Sequence, residues 1–174
     1  IISEILSRKG LKFGFETLPW KRCLNYVETG KSQIVIDASR NRKRETTFLF
    51  SDPIYTIRHG LFFEKRRFDG SVIKTVQDVN KFTIGGILGY NFDVYTFDTS
   101  AIEQGTRTPK TLLNKLRAGR LDFAIGYVEV FEAIAKLEQS DFLSGLGWIE
   151  IPGTIPLVFH MMFTRSDQGE RLLA

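Results

Sequence analysis

Ile1, Ile2, Ile5 and Leu6 recur at helical spacing and Gly10 stops the pattern, so a helix over 1–9 opens the chain. The period then changes to two: Phe13 and Phe15 within 12–18 predict a short strand. Pro19 suits the first turn of a second helix, which carries Trp20, Cys23, Leu24 and Val27 on one face and ends near Gly30. Ile34, Val35 and Ile36 mark a buried strand over 33–38. A polar, basic loop follows, then a strand over 47–50, the turn Ser51-Asp52-Pro53, and a longer strand over 57–65 interrupted by Gly60.

A second round of the same alternation comes next. A short helix over 75–80 precedes a strand over 82–88, and Gly89 opens a turn into a helix over 91–97. Thr108 caps a further helix that has Pro109 at its first position, Leu112, Leu113 and Leu116 as its apolar stripe, and Gly119 at its end. A strand over 121–126, a helix over 128–137, strands over 148–151 and 157–163, and a helix capped by Ser166 complete the chain. This alternation predicts an α/β fold of mainly parallel sheets flanked by helices, with a ligand crevice beyond the carboxyl ends of the strands. Two rounds imply two lobes. Residues 1–57 with 156–174 form the first and 58–155 the second, and the strands over 57–65 and 157–163 cross between them.

Length and composition leave room for that division. The 174 residues, 43% hydrophobic with 15 Phe, are enough for two small lobes with apolar interiors. A net charge of +4 indicates a nucleic-acid face only if the charge is clustered. The densest cluster, Arg40-Asn41-Arg42-Lys43-Arg44, has no aromatic residue interleaved, so Arg40, Arg42 and Lys43 read as a solvated loop and no nucleic-acid partner is expected. No apolar run approaches the roughly 20 residues that span a bilayer. Cys23 is the single cysteine and excludes an internal disulfide; its place on an apolar helix face fits a small buried hydrophobe.

Catalytic and cofactor motifs are missing. His59 and His160 stand far apart, with no HxxH, CxxC or HExxH spacing, so no metal is expected. There is no GxSxG elbow and no Walker P-loop, and no other cofactor is expected. Two features point to binding. Arg44 lies seven residues before Ser51, in a segment that returns toward the crevice, where a guanidinium can hold a carboxylate in a bidentate fork. Gly85-Gly86-Ile87-Leu88-Gly89-Tyr90-Asn91 lacks the GxGxxG spacing but offers a helix start whose free N–H groups suit an anion.

The order of these segments resembles a known family. Leu18-Pro19-Trp20-Lys21-Arg22, Gly30, Ser39, Arg44 and Phe50-Ser51-Asp52-Pro53 resemble the first lobe of bacterial family 3 extracellular solute-binding proteins. These are the polar amino acid type binding components of ABC transporters, with the type II periplasmic-binding-protein fold. Ile84-Gly85, Gly89-Tyr90 and Leu116-Arg117-Ala118-Gly119-Arg120-Leu121-Asp122 resemble the second lobe. The resemblance implies a periplasmic, non-enzymatic protein that captures a small organic ligand between its lobes and hands it to an ABC transporter permease. Alternatives on the same scaffold are a sensor domain and a small-acid dehydratase, for which Glu129 is the available acid. The resemblance assigns the ligand carboxylate to Arg44, with Ser39 on the same wall and Tyr90 and Asn91 contacting the ligand from the second lobe; Trp20 is a further candidate contact. Tyr127 falls where amino-acid binders carry an acidic residue for the ammonium group, which points to an organic acid or an unusual amino-acid derivative. The family's first strand and C-terminal helices have no counterpart here, so the fold reads as trimmed at both ends. A chain of these residues alone is then expected to be poorly stable or to dimerise.

Overall fold

The computed structural model describes residues 2–138 and 141–174. The first part of the chain comprises α1 (Ile2–Arg8), α2 (Trp20–Glu28), β1 (Ile34–Ser39), α3 (Arg42–Thr47), β2 (Phe48–Phe50) and β3 (Tyr55–Ile57). Then come β4 (His59–Glu64), α4 (Val76–Val79), β5 (Ile84–Ile87), β6 (Glu103–Thr106), α5 (Pro109–Arg117), β7 (Phe123–Tyr127), α6 (Val128–Leu137) and β8 (Leu146–Glu150). The chain closes with β9 (Leu157–Thr164) and α7 (Asp167–Leu173).

The strands divide between two sheets. One has the order β1-β9-β2, with β3 also paired to β9; the other has the order β6-β5-β7-β4-β8. The chain passes from the first sheet to the second between β3 and β4, and returns between β8 and β9. Ile57, Tyr127 and Phe159 are buried together at these passages, with Tyr90, Val130 and Leu157 against them.

Two sheets flanked by helices give the expected α/β architecture, but the expectation of mainly parallel strands needs correction. Parallel pairing occurs only where β5 meets β6 and β7. Strand β9 runs antiparallel to β1, β2 and β3, and β4 runs antiparallel to β7 and β8. The physical reason lies in the passages: β4 and β9 enter their sheets from the other sheet, without a helical crossover, and such strands arrive antiparallel.

The second sheet is covered on both faces. Leu61, Phe63, Ile84, Phe123 and Ile125 face one core with Phe92, Tyr95 and Phe97. Phe62, Ala124, Leu112, Leu113, Leu116 and Phe131 fill the other. Helix α5 starts where the pattern places it, since the Thr108 hydroxyl accepts from the Thr111 N–H at 3.2 Å and Pro109 sits in the first turn.

Two predicted elements are not formed. Residues 12–18 lie outside any strand, and Phe13 and Phe15 pack edge to face on each other at 5.3 Å with their outer surfaces exposed. A strand needs a partner ladder, and among the described residues β1 is paired only to β9. The helix over 91–97 is also absent. Phe92, Tyr95 and Phe97 are buried instead, and the Asn91 side chain accepts from the Asp93 N–H, the local bonding that makes Asn and Asp poor helix residues.

Candidate functional site

A cleft of about 1270 Å³ runs between the two sheets, larger than most single-ligand sites. Residues 11–18 and most of β1, Ser39 included, line part of it, and Trp20, Arg44, Tyr90, Arg107 and Tyr127 are among the other lining residues.

Arg44 is brought into this cleft by the turn that starts α3. Asn41 caps the helix by accepting from the Arg44 N–H at 2.8 Å, which fixes the backbone from which the guanidinium extends. Nη1 donates to the Ser39 carbonyl at 2.8 Å and to Ser39 Oγ at 2.9 Å, and Nη2 donates to the Gly89 carbonyl across the cleft at 2.8 Å. A guanidinium has five N–H groups, so two donors stay available. The side chain is only 7% exposed, yet no carboxylate lies within ion-pair distance among the described residues. Burial lowers its pKa against the smaller opposing pull of Tyr127 and Asp93, the direction expected for a cation whose hydrogen-bond acceptors are all neutral oxygens. Such a site favours an anion.

Trp20 donates its indole N–H to the same Gly89 carbonyl at 2.8 Å and carries the Arg44 guanidinium 5.4 Å from its ring centre. Gly89 has φ +84°, a conformation that turns its carbonyl toward the first sheet and suits glycine. The expected helix start at Tyr90 and Asn91 is corrected: no helix follows Gly89, and the Gly89 carbonyl of the turn is an acceptor for Trp20 and Arg44. Asn91, 2% exposed, joins the lobes. Its Nδ2 donates to the Arg40 carbonyl at 3.1 Å, and its Oδ1 accepts from Asn41 Nδ2 at 3.2 Å.

Tyr90 and Tyr127 stack at 4.9 Å with planes 10° apart and both line the cleft. Neither hydroxyl has a hydrogen-bond partner among the described residues, and burial raises both pKa values, Tyr90 to about 12. Phe159 meets Tyr127 edge to face at 5.4 Å, which extends the aromatic wall toward β3. The structure thus gathers Trp20, Ser39, Arg44, Tyr90 and Tyr127 about one cleft, with Asn91 beside it as a fastener.

Sequence reasoning passed over Asp37. It lies in β1 two residues before Ser39, it lines the cleft, and its Oδ1 accepts from the Tyr55 hydroxyl at 2.7 Å. The signal was present: an acid within the otherwise apolar run Ile34-Val35-Ile36-Asp37-Ala38. Glu129 is otherwise engaged. Its carboxylate accepts from the Arg58 N–H at 2.9 Å and from Arg58 Nε at 2.7 Å.

His59 stands behind Tyr127, 5.9 Å away edge to face, and shares a 2.7 Å hydrogen bond through Nδ1 with the Tyr95 hydroxyl. Burial takes its pKa from 6.5 down to about 4. The folded state thus keeps the ring neutral where the unfolded chain would protonate it. Stability is full above about pH 6.5 and is lost as pH falls toward 4, by about 2–3 kcal/mol. Urea midpoints measured from pH 7 to 4 should fall in this window, and His59→Gln should flatten that part of the profile.

No protein-family model matches the sequence, and no curated protein matches it. Solved structures do match in fold. One is the arginine-, lysine-, histidine-binding protein ArtJ from Geobacillus stearothermophilus, with TM-score 0.77, 16% identity, and coverage of 99% of this chain and 74% of that one. An ancestral arginine-binding protein bound to glutamine matches with TM-score 0.77 and 17% identity over 99% of this chain and 76% of that one. A histidine kinase sensor domain with similarity to periplasmic binding proteins matches with TM-score 0.79 and 18% identity over 99% and 73%. At these identities the likeness carries the fold.

Proposed function

We propose that this chain is an extracytoplasmic solute-binding protein that closes two lobes on a small carboxylate-bearing ligand. The bodies that move are residues 1–57 with 156–174 and residues 58–155, hinged at the two passages beside Tyr127 and Phe159. The observation that carries this reading is the buried Arg44 cation, aimed into the cleft with two donors available and no carboxylate partner among the described residues. The folds of amino-acid-binding proteins support it. The same likeness supports delivery to an ABC transporter permease, in the periplasm or its equivalent. Among the described residues no helix is long and apolar enough to cross a membrane.

A sensor role is the second reading, supported by the likeness to the histidine kinase sensor domain. An enzymatic role has less support, because Glu129, the acid that a dehydratase would need, is held by Arg58. Calorimetric titration with small carboxylic acids and their primary amides tests the proposal. Acids should bind and their amides should not; equal binding of both, or binding of neither, contradicts it.

A further inference from the structure

The turn after β5 is tied to the part of the chain that carries the first sheet by five hydrogen bonds. Two meet on one acceptor, since Trp20 Nε1 and Arg44 Nη2 both donate to the Gly89 carbonyl at 2.8 Å. The other three run through two asparagines. Asn91 Nδ2 donates to the Arg40 carbonyl at 3.1 Å, while Asn41 Nδ2 donates to Asn91 Oδ1 at 3.2 Å and to Asp93 Oδ2 at 3.1 Å. The turn is closely seated: a Cβ on Gly89 would stand 3.3 Å from Trp20 Cδ1.

This contact is distinct from both the cleft and the passages. Asn41, Asn91 and Asp93 do not line the cleft. The passages are packed by the apolar and aromatic side chains around Ile57, Tyr127 and Phe159. Among the described residues, no other hydrogen bond joins residues 1–57 or 156–174 to residues 58–155. Every donor and acceptor in the set belongs to the protein, so the contact needs no ligand to complete it. Asn91, 2% exposed, has both ends of its amide engaged, and a buried amide without partners is costly, which favours this one arrangement. Asn41 has a second task, because its Oδ1 caps α3 at the Arg44 N–H.

We propose that Asn41 and Asn91 form a latch that holds the two lobes closed before a ligand arrives, and that they set affinity from outside the cleft. This rests on the two-lobe binding reading above and adds a resting state to it. On opening, each bond is exchanged for one with water, so its net contribution is modest and the latch still yields to the transient opening that admits a ligand. In the latched form Arg44 keeps Nη2 on Gly89 and holds its remaining donors in place, which lowers the cost of ordering the site on binding. A protein that rests closed binds with nearly its intrinsic affinity, whereas one that rests open loses affinity in proportion to its closed fraction.

Small-angle X-ray scattering, without and with a saturating amount of the best-binding acid of the series above, tests the latch. Asn41→Asp keeps the cap on Arg44, loses both donors to the second lobe and sets a carboxylate against Asp93. Asn91→Ala removes the partner amide. Losing two such bonds should lower the closed-to-open ratio by about 5- to 150-fold. Wild type should scatter as a compact particle with a radius of gyration of about 16 Å, with or without the acid. Both variants should be larger without the acid, return to the wild-type radius with it, and keep a cooperative thermal melt. That reversal separates a loosened latch from a damaged fold. A wild-type particle that contracts only when the acid is added overturns the latch and leaves the binding reading standing. Variants as compact as wild type without the acid overturn the latch as well. If no acid binds, the binding reading fails, and the radii of folded wild type and variants without acid still decide the latch.

Discussion

Arg44→Ala is expected to weaken binding of a carboxylate ligand by about 10- to 150-fold, the range for losing a charge-assisted hydrogen bond. Arg42→Ala, two residues earlier on the exposed side of α3, should change it by less than about twofold, as an exposed charge in high dielectric does. The contrast follows from burial. Arg44 is held against Ser39 and spans the cleft to Gly89, whereas Arg42 faces solvent. Arg44→Lys should fall between the two, because it keeps the charge and loses the planar fork. Calorimetric titration of the three variants measures this. Equal losses from Arg42→Ala and Arg44→Ala would mean that the basic segment acts as a diffuse field and not as a clamp.

Phe131→Ala should cost about 3–5 kcal/mol of stability. Phe131 is fully buried in α6, 4.6 Å from Phe62 and 5.8 Å from Phe142. Its ring lies so close over Gly126 that a Cβ there would overlap it, so the sheet has been cleared to seat this side chain. For a chain of this size the loss should lower the melting temperature by roughly 10 °C. Leu137→Ala at the end of the same helix should do little, since Leu137 is 83% exposed. Thermal melts of the two variants check both expectations. A Phe131→Ala protein that melts within a few degrees of wild type would contradict this account of the core.

Much of this fold was legible in the sequence because its elements announce themselves locally. Thr108, Pro109 and the Leu112-Leu113-Leu116 stripe define α5 without help from the rest of the chain, and Ser166 does the same for α7. What failed depended on partners. Residues 12–18 alternate like a strand but meet no ladder, and 91–97 carry the spacing of a helix while their aromatic residues serve the core of the second sheet. Strand direction was equally out of reach, since it is set by how the chain returns between sheets and not by any residue in β4 or β9.

The site divides in the same way. Arg44 and Ser39 could be named from their spacing and their family resemblance, and the structure joins them by two hydrogen bonds. Gly89 could not be read as an acceptor, because a glycine gives no sign of which way its carbonyl will turn. Asp37 was visible as an acid in an apolar run, but its partner Tyr55 reaches it only through β9.

A crystal structure of the protein with a bound ligand is the most direct measurement. The account predicts a ligand carboxylate within hydrogen-bond distance of Arg44 and Ser39 Oγ, lying against Tyr90 and Tyr127 between the two sheets. A ligand bound elsewhere, or one in this cleft with its carboxylate turned away from Arg44, would contradict it.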